Sequence, residues 1–354
     1  MKTTVQKLVI IFLALAIVQI SYSQSNKHRE KNIRKHVSTF INHQGSDFNP
    51  TKGFWSLNKD EQGDYLQLAS HKHSAYNFSR NSFFISFGIT TSELEAIKRS
   101  SNSSISRASG TLNFKENNSY VFEINTAFKT FLASEGISSD QPYDYLKLFI
   151  GDIDKSYVIG IKKRGFLPTM RTLSNLGLHS VGLDYIDDMM SVYPEIDLNM
   201  LKKFKIHNVT KNYIDDLAQL GYNLEPNMIK KFAIHNISTV YIRDLNNAGY
   251  RNLDANMIKK FAIHRVSIEY IEGLSALGYT DLEPKDIKNF AVHNISLDYI
   301  KSLLNLDINK PTTSAIKKAK IHNVSANFIE HAIKDGHDSK ELAYYAKLKI
   351  RGIY

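Results

Sequence analysis

The sequence predicts an α+β multidomain chain, in which a small antiparallel β-domain precedes an α-solenoid of short helix pairs. Between residues 48 and 124, apolar and aromatic residues recur with the period of two that is typical of strands. From residue 125 onward a unit of 28–29 residues recurs, and its apolar residues have helical spacing. We therefore divide the chain into an export signal (1–23), a linker (24–47), a β-domain (48–124) and a repeat region (125–354).

Composition limits the classes of function. The chain has 354 residues, no cysteine and a formal net charge of +10. The lack of cysteine excludes disulfides, thiolate catalysis and cysteine-ligated zinc. The basic excess is modest, and it indicates affinity for acidic surfaces rather than a nucleic-acid site, which would concentrate lysine and arginine in one patch. We expect no cofactor and no nucleic-acid partner.

Residues 1–23 have the pattern of a signal peptide. Two lysines precede Leu8–Ile20, an apolar run that is shorter than the ~20 residues of a membrane span. Small residues precede a cleavage point between Ser23 and Gln24. We expect an exported protein that is periplasmic or extracellular after cleavage. The alternative is an uncleaved N-terminal anchor.

Residues 24–47 are predicted as a polar, basic linker, and residues 48–124 as a sheet of five or six strands. The last two predicted strands flank Lys115–Ser119 as a hairpin. We predict a short helix at Thr91–Lys98, with Ser92 as its cap, and a serine-rich loop at Ser100–Ser109. The runs that predict the strands are Phe54–Leu57, Tyr65–Leu68, Phe83–Phe87, Gly110–Phe114 and Tyr120–Ile124.

The repeat is clearest at Met228–Ile242. A half-unit, seven full units and a capping helix at Lys340–Ile350 account for the repeat region. Glycine follows most of the central aromatic residues eight positions later. The central aromatic residues are Phe128, Tyr157, Tyr185, Tyr213, Tyr241, Tyr270, Tyr299 and Phe328.

Each unit is predicted to form two short helices. The first, Asn227–His235 in the clearest copy, follows Pro226, and Ser238 caps the second. Gly249 ends the second helix in the left-handed conformation. Helices of ~10 residues are marginal alone, so each unit must bury its apolar face against the next. The predicted apolar face of the first helix consists of Ile229, Phe232, Ala233 and Ile234.

A histidine precedes the central aromatic residue in the last six units. Zinc ligands lie ~2.0–2.1 Å from the ion, whereas neighbouring solenoid helices lie ~8–10 Å apart. We therefore favour a role at the helix end over a metal site, and a pH response of the whole set stays open. The residues are His179, His207, His235, His264, His293 and His322.

Paired lysines on the first helices are the candidate binding surface. Acidic residues fall on the second helices, so one interpretation is a solvated surface held by salt bridges. The other is a groove for an acidic protein or peptide, a polysaccharide or lipid head groups of an anionic envelope surface. The lysines are Lys202, Lys203, Lys230, Lys231, Lys259, Lys260, Lys317 and Lys318.

Catalytic patterns are weak. His71 and His73 alternate on a predicted strand without a third metal ligand. Ser56–Lys59 and Ser314–Lys317 match the Ser-x-x-Lys motif of acyl transfer, but the companion motifs are missing. We expect no enzymatic activity, and a hydrolase that uses the β-domain is the least favoured alternative.

Two motifs resemble those of known proteins. Arg107–Phe114 resembles a β-module with an Arg-x-x-Gly-Thr-Phe-x-Phe pattern, and Leu277–Ile300 resembles the helical repeats that follow that module. Such regions occur in exported bacterial proteins and in the extracytoplasmic parts of membrane zinc metallopeptidases of the β-lactam-sensor antirepressor type. The peptidase's zinc motif is absent from this sequence, so the resemblance implies no peptidase activity. It implies an interaction role outside the cytoplasmic membrane, or a sensory one beside a signalling protease.

Overall fold

A computed structural model describes residues 38–42, 50–61, 63–70, 82–100 and 102–353, with the backbone alone for residues 38–42. The predicted export signal and His71 and His73 lie outside these residues. The described chain divides between Ile206 and His207 into two compact units. No helix in the described ranges has the length and hydrophobicity that a bilayer crossing requires.

The first unit contains one antiparallel sheet of seven strands, in the order β1-β4-β3-β2-β7-β6-β5. The prediction of an antiparallel sheet is thereby confirmed, with seven strands in place of the predicted five or six. Alternate side chains such as Leu66 and Leu68 on one strand, and Leu112 and Phe114 on another, are fully buried. The strands are β1 Ser38–Asn42, β2 Lys52–Asp60, β3 Gly63–Ala69, β4 Ser82–Gly88, β5 Ser104–Arg107, β6 Gly110–Phe114 and β7 Ser119–Ile124.

Two strands lie where the sequence predicts irregular chain. β1 lies within the predicted linker and pairs with β4 at the edge of the sheet. Its Thr-Phe-Ile core favours a strand in spite of the basic residues before it. β5 lies within the predicted serine-rich loop, because Ile105 is buried opposite Leu112 and the Ser106 hydroxyl bonds Thr111 at 2.9 Å.

The first helix, α1 (Thr91–Arg99), begins two residues earlier than its predicted cap implies. Thr90 is the cap, and Ser92 is not. The Thr90 hydroxyl accepts from the Glu93 N–H at 3.2 Å, while the Glu93 carboxylate accepts from the Thr90 N–H at 2.8 Å. This reciprocal capping box stabilises the first turn. A second interaction of Glu93, with Arg107, holds the box at this position.

Arg107 joins the sheet to the helices of the first unit. Its buried guanidinium contacts the Glu93 carboxylate at 2.8 and 3.0 Å, and its remaining N–H groups bond the carbonyls of Gly88, Phe149 and Ile150. All five donors of the guanidinium are therefore used. The group also lies over the Phe87 and Phe149 rings. The arginine of the β-module motif is thus a structural residue.

Sixteen helices follow the sheet within the described residues, which confirms a mixed α+β chain with the sheet first. They are α2 Thr126–Ser134, α3 Pro142–Ile150, α4 Lys155–Lys163, α5 Met170–Leu178, α6 Leu183–Val192, α7 Leu198–Ile206, α8 Lys211–Gln219, α9 Pro226–Ile234, α10 Thr239–Asn247, α11 Ala255–Ile263, α12 Ile268–Ala276, α13 Pro284–Val292, α14 Leu297–Leu304, α15 Thr313–Ile321, α16 Ala326–Lys334 and α17 Leu342–Ile350.

The helix pair predicted for each repeat is present. In the clearest copy, α9 begins at Pro226 and ends with His235 as its C-cap. Asn236 then adopts a left-handed conformation with φ of 52°, which asparagine tolerates better than most residues. The Ser238 hydroxyl accepts from the Tyr241 N–H at 3.0 Å and caps α10 as predicted. Gly249, with φ of 95°, ends that helix as predicted.

Tyrosine hydroxyls connect each repeat to the following one. The central tyrosine donates to the carbonyl just before the next serine cap, and in the second unit this bond recurs four times at 2.6–2.7 Å. A second tyrosine, after the glycine, donates to a carbonyl in the following unit at 2.9–3.0 Å in three copies. The central pairs are Tyr213–Ile237, Tyr241–Val266, Tyr270–Ile295 and Tyr299–Val324; the others are Tyr222–Leu253, Tyr250–Leu282 and Tyr279–Pro311.

Removing one of these hydroxyls should destabilise the second unit. We expect Tyr241→Phe to lower the free energy of unfolding by about 1–3 kcal/mol, because the carbonyl of buried Val266 loses its donor. Tyr344→Phe is the matched control, since among the described residues that hydroxyl bonds only the nearby His337 side chain, at 3.2 Å. Urea unfolding measures both. Equal stability of Tyr241→Phe and the unmodified chain would contradict a structural role for the bond.

The Arg107–Glu93 pair should make the first unit acid-sensitive. Burial by itself raises the pKa of the Glu93 carboxyl, but Arg107 and the Thr90 cap outweigh it and hold the pKa below the ordinary value of 4.5. A lowered folded-state pKa gives stability that is present at neutral pH and is lost as the pH falls through that lowered value. We expect urea midpoints to fall with pH in this range, and less so for Glu93→Gln.

At neutral pH, Arg107→Met should cost about 3–5 kcal/mol, because it leaves the Glu93 carboxylate buried without its partner. The double variant Arg107→Met/Glu93→Gln should recover part of that loss. A double variant no more stable than Arg107→Met alone would show that the uncompensated charge is not the cause.

Candidate interaction surface

The structure places the eight predicted lysines on first helices, at the same two positions in each. Lys202 and Lys203 lie on α7 in the first unit. The other six lie on α9, α11 and α15 in the second unit, where α9, α11, α13, α15 and α17 pack against one another in that order. The six lysines of the second unit therefore come together along one set of packed helices. At the same positions α13 carries Lys288 and Asn289.

The lysines make few polar contacts. Lys230 and Lys259 each donate to an asparagine of their own helix at 3.3 Å. None of the eight forms an ion pair with another residue in the described ranges. An acidic residue of a second helix, Asp215, pairs instead with Lys211 of its own helix. The interpretation of a surface held by salt bridges between the two kinds of helix is therefore not supported at these lysines.

An exposed aliphatic residue ends each first helix of the second unit. Its exposure corrects the predicted apolar face. Ile234 was predicted to be buried with Ile229 and Phe232, but it is 43% exposed. An α-helix turns 100° per residue, so Ile234 lies about 160° around the helix from Phe232. The equivalent residues of the second unit are between 41% and 50% exposed. They are Ile234, Ile263, Val292, Ile321 and Ile350.

The exposed aliphatic residue and the lysines share one helix surface. Lys231 precedes Ile234 by three residues and Lys230 precedes it by four, the spacings that bring side chains together on a helix. The second lysine of each pair is exposed in α9, α11 and α15. We name the resulting surface of the second unit the basic–aliphatic row, and it consists of Lys231, Ile234, Lys260, Ile263, Val292, Lys318, Ile321, Lys347 and Ile350.

Charge is segregated between the two sets of helices of the second unit. The five first helices carry eleven lysines and one aspartate, a net charge of +10. The five second helices, α8, α10, α12, α14 and α16, carry four basic and seven acidic residues, a net charge of −3. An acidic ligand would therefore be attracted to the side that bears the row.

The repeat histidines lie at helix ends, as predicted, but their imidazoles do not supply the bonds. His235, His264, His293 and His322 are C-caps whose backbone N–H groups bond the last carbonyls. The imidazoles of these four residues make no hydrogen bond with described residues. Over the described ranges, no group of three or more His, Cys, Asp or Glu residues could hold a metal ion.

The Ser-x-x-Lys match in the sheet has no catalytic geometry. Ser56 and Lys59 are three residues apart on β2, and such residues point to opposite faces of a strand. The Ser56 hydroxyl instead contacts Asn58 at 2.9 Å and Gln67 at 3.4 Å.

Comparison with known proteins identified no relative. No protein-family model, no curated protein and no solved structure matches this chain.

A pair of substitutions on α11 tests whether the row is a surface. We expect Ile263→Ser to change the free energy of unfolding by less than about 1 kcal/mol, because this side chain is already half exposed. Phe261→Ala, two residues away and fully buried, should cost about 3–5 kcal/mol. Urea unfolding compares them. Similar large losses for both would show that Ile263 belongs to the core.

Proposed function

We propose that this chain is a non-enzymatic interaction protein whose repeats stack as a solenoid and bind a polypeptide along the basic–aliphatic row. The observation that carries the proposal is the recurrence of an exposed aliphatic residue beside lysines, at one position of successive packed helices. Such contiguous apolar exposure, bordered by polar residues, is typical of interaction surfaces.

The bonds between repeats support the stacking. The same two tyrosine–carbonyl bonds join successive repeats with closely similar lengths. Equal contacts at equal positions favour an equal displacement from each repeat to the next, which is the defining property of a solenoid. The aliphatic residues would then form a straight or gently curved line.

The length of the row favours a polypeptide over a small molecule. Packed helices lie ~8–10 Å apart, so four steps between five helices extend over roughly 32–40 Å. A small-molecule site is a concave pocket that encloses most of its ligand. A long line of half-exposed side chains instead suits an elongated ligand that contacts several repeats in turn.

The export pattern of residues 1–23 supports a location outside the cytoplasmic membrane. There the resemblance of the repeats to extracytoplasmic regions of sensor metallopeptidases supports a regulatory variant of the proposal, in which the bound polypeptide belongs to a signalling protease. A neighbouring gene for such a protease would favour this variant.

Peptide selection tests the proposed function. Random peptides displayed on phage are selected on the full chain and then compared on a row variant, Ile234→Ser/Ile263→Ser/Ile321→Ser. We expect the selected peptides to lose about tenfold or more in affinity. Val240→Ser is the matched control, since Val240 is exposed on α10 away from the row. Selected peptides that bind the row variant and the unmodified chain equally would overturn the proposal.

A further inference from the structure

We propose that the occupant of the row is an acidic polypeptide in a polyproline II conformation, with an aliphatic side chain at every third residue. This inference rests on the proposed function and specifies the chemistry of its ligand. It follows from three features of the second unit: the spacing of the aliphatic residues, the charge around them and the extent of their exposure.

The spacing of the aliphatic residues favours a polyproline II conformation of the ligand. Successive first helices pack directly, so their aliphatic residues should recur every ~8–10 Å. A polyproline II helix has three residues per turn and rises ~9.3 Å per turn, so every third side chain returns to one side at the required spacing. A β-strand returns to one side every ~6.6–6.8 Å, which falls out of register after one step.

An α-helical ligand fits less well. Its side chains repeat on one line only after seven residues, or ~10.5 Å, which exceeds the expected step and accumulates error over successive repeats. A polyproline II segment avoids this mismatch, and its two intervening residues can carry the charge.

The positive charge of the lysines favours acidic residues at the two ligand positions between successive aliphatic residues. Each aliphatic residue except Val292 has a lysine three residues before it, at Lys231, Lys260, Lys318 or Lys347. None of these lysines is in an ion pair within the described ranges. Carboxylates between the aliphatic residues of the ligand would meet them. On α13 this position is Asn289, and the lysine lies four residues before Val292, at Lys288, so the positive charge at this step is lower than at the others.

The extent of exposure favours a polypeptide over an anionic membrane. Between 50% and 59% of each aliphatic side chain is already covered, the complement of its exposure. A helix that lies in a membrane inserts its apolar face ~5–10 Å into the lipid, usually with Trp, Phe or Leu. Half-covered isoleucine and valine residues flanked by lysines cannot reach that depth, but they can contact one side of a peptide.

The test uses a synthetic peptide of about 13 residues, in which isoleucine recurs at every third position between glutamate and proline. Two control peptides are compared with it. One has the same composition with isoleucine at scrambled positions, and the other, of about 15 residues, has five isoleucines at heptad spacing between glutamate and alanine, because proline would break a helix. Fluorescence anisotropy measures the binding of each to the full chain, to the triple row variant and to Val240→Ser. Vesicles of equal parts phosphatidylglycerol and phosphatidylcholine are tested by co-sedimentation with the same variants.

We expect the period-three peptide to bind about tenfold or more tightly than either control, and to lose that advantage on the row variant only. The preference should weaken with salt, because the lysines are exposed. Equal affinity of all three peptides, or tighter binding of the heptad peptide, would overturn the period-three assignment. Vesicle binding that the row variant abolishes would overturn the choice of a polypeptide ligand. If the three peptides bind equally, phage selection could still yield peptides whose binding needs the row. Failure of the period-three assignment can therefore be distinguished from failure of the proposed function.

Discussion

The hydrogen bond from a tyrosine hydroxyl to a carbonyl of the next repeat is the interaction on which the helical part of the second unit depends. Each helix has only eight or nine residues, too few to be stable alone. The apolar face drives packing, but it is non-directional. The tyrosine hydrogen bond is directional, because it joins one hydroxyl to one carbonyl oxygen at a fixed distance. Burial raises the pKa of Tyr213, Tyr241, Tyr270 and Tyr299 from the ordinary value of 10 to about 12, so all four hydroxyls remain donors at more alkaline pH than a free phenol would.

The tyrosine–carbonyl bonds between repeats also bear on the candidate surface. One exposed isoleucine beside a lysine is an ordinary surface feature. In the proposed solenoid, several of them would recur at a spacing that a ligand could match. The specificity of the proposed surface would then depend on the tyrosine bonds between repeats, since a change in the displacement between repeats would change the distance between the aliphatic residues. We expect substitutions at the joints to affect binding even when they do not touch the row.

The helices were largely predictable from the sequence, because each boundary has a local chemical cause. Pro226, Ser238 and Gly249 determine ends through backbone conformation and side-chain capping, which need no knowledge of tertiary structure. The positions of the eight lysines on the first helices were predictable from the register of the repeat. The strand at Ser104–Arg107 was not, because Ile105 gains its burial from a distant part of the chain.

The exposure of Ile234 was missed for a geometric reason. Apolar residues that are adjacent in sequence look like one face, but Phe232 and Ile234 lie on nearly opposite sides of α9. An angular test against the most buried residue would have identified Ile234 and its equivalents. The partner of each tyrosine hydroxyl lies 24–32 residues away along the chain, and it required the structure.

The isoleucine methyl groups provide the most direct test of binding along the row. Nuclear magnetic resonance of isoleucine methyl groups in the full chain, during titration with the period-three peptide, reports each contact separately. We expect the methyl signals of Ile234, Ile263, Ile321 and Ile350 to change their chemical shifts, and those of the buried Ile229, Ile258 and Ile316 to stay unchanged. Shifts spread over the buried methyl groups, or absent from the four exposed ones, would contradict it.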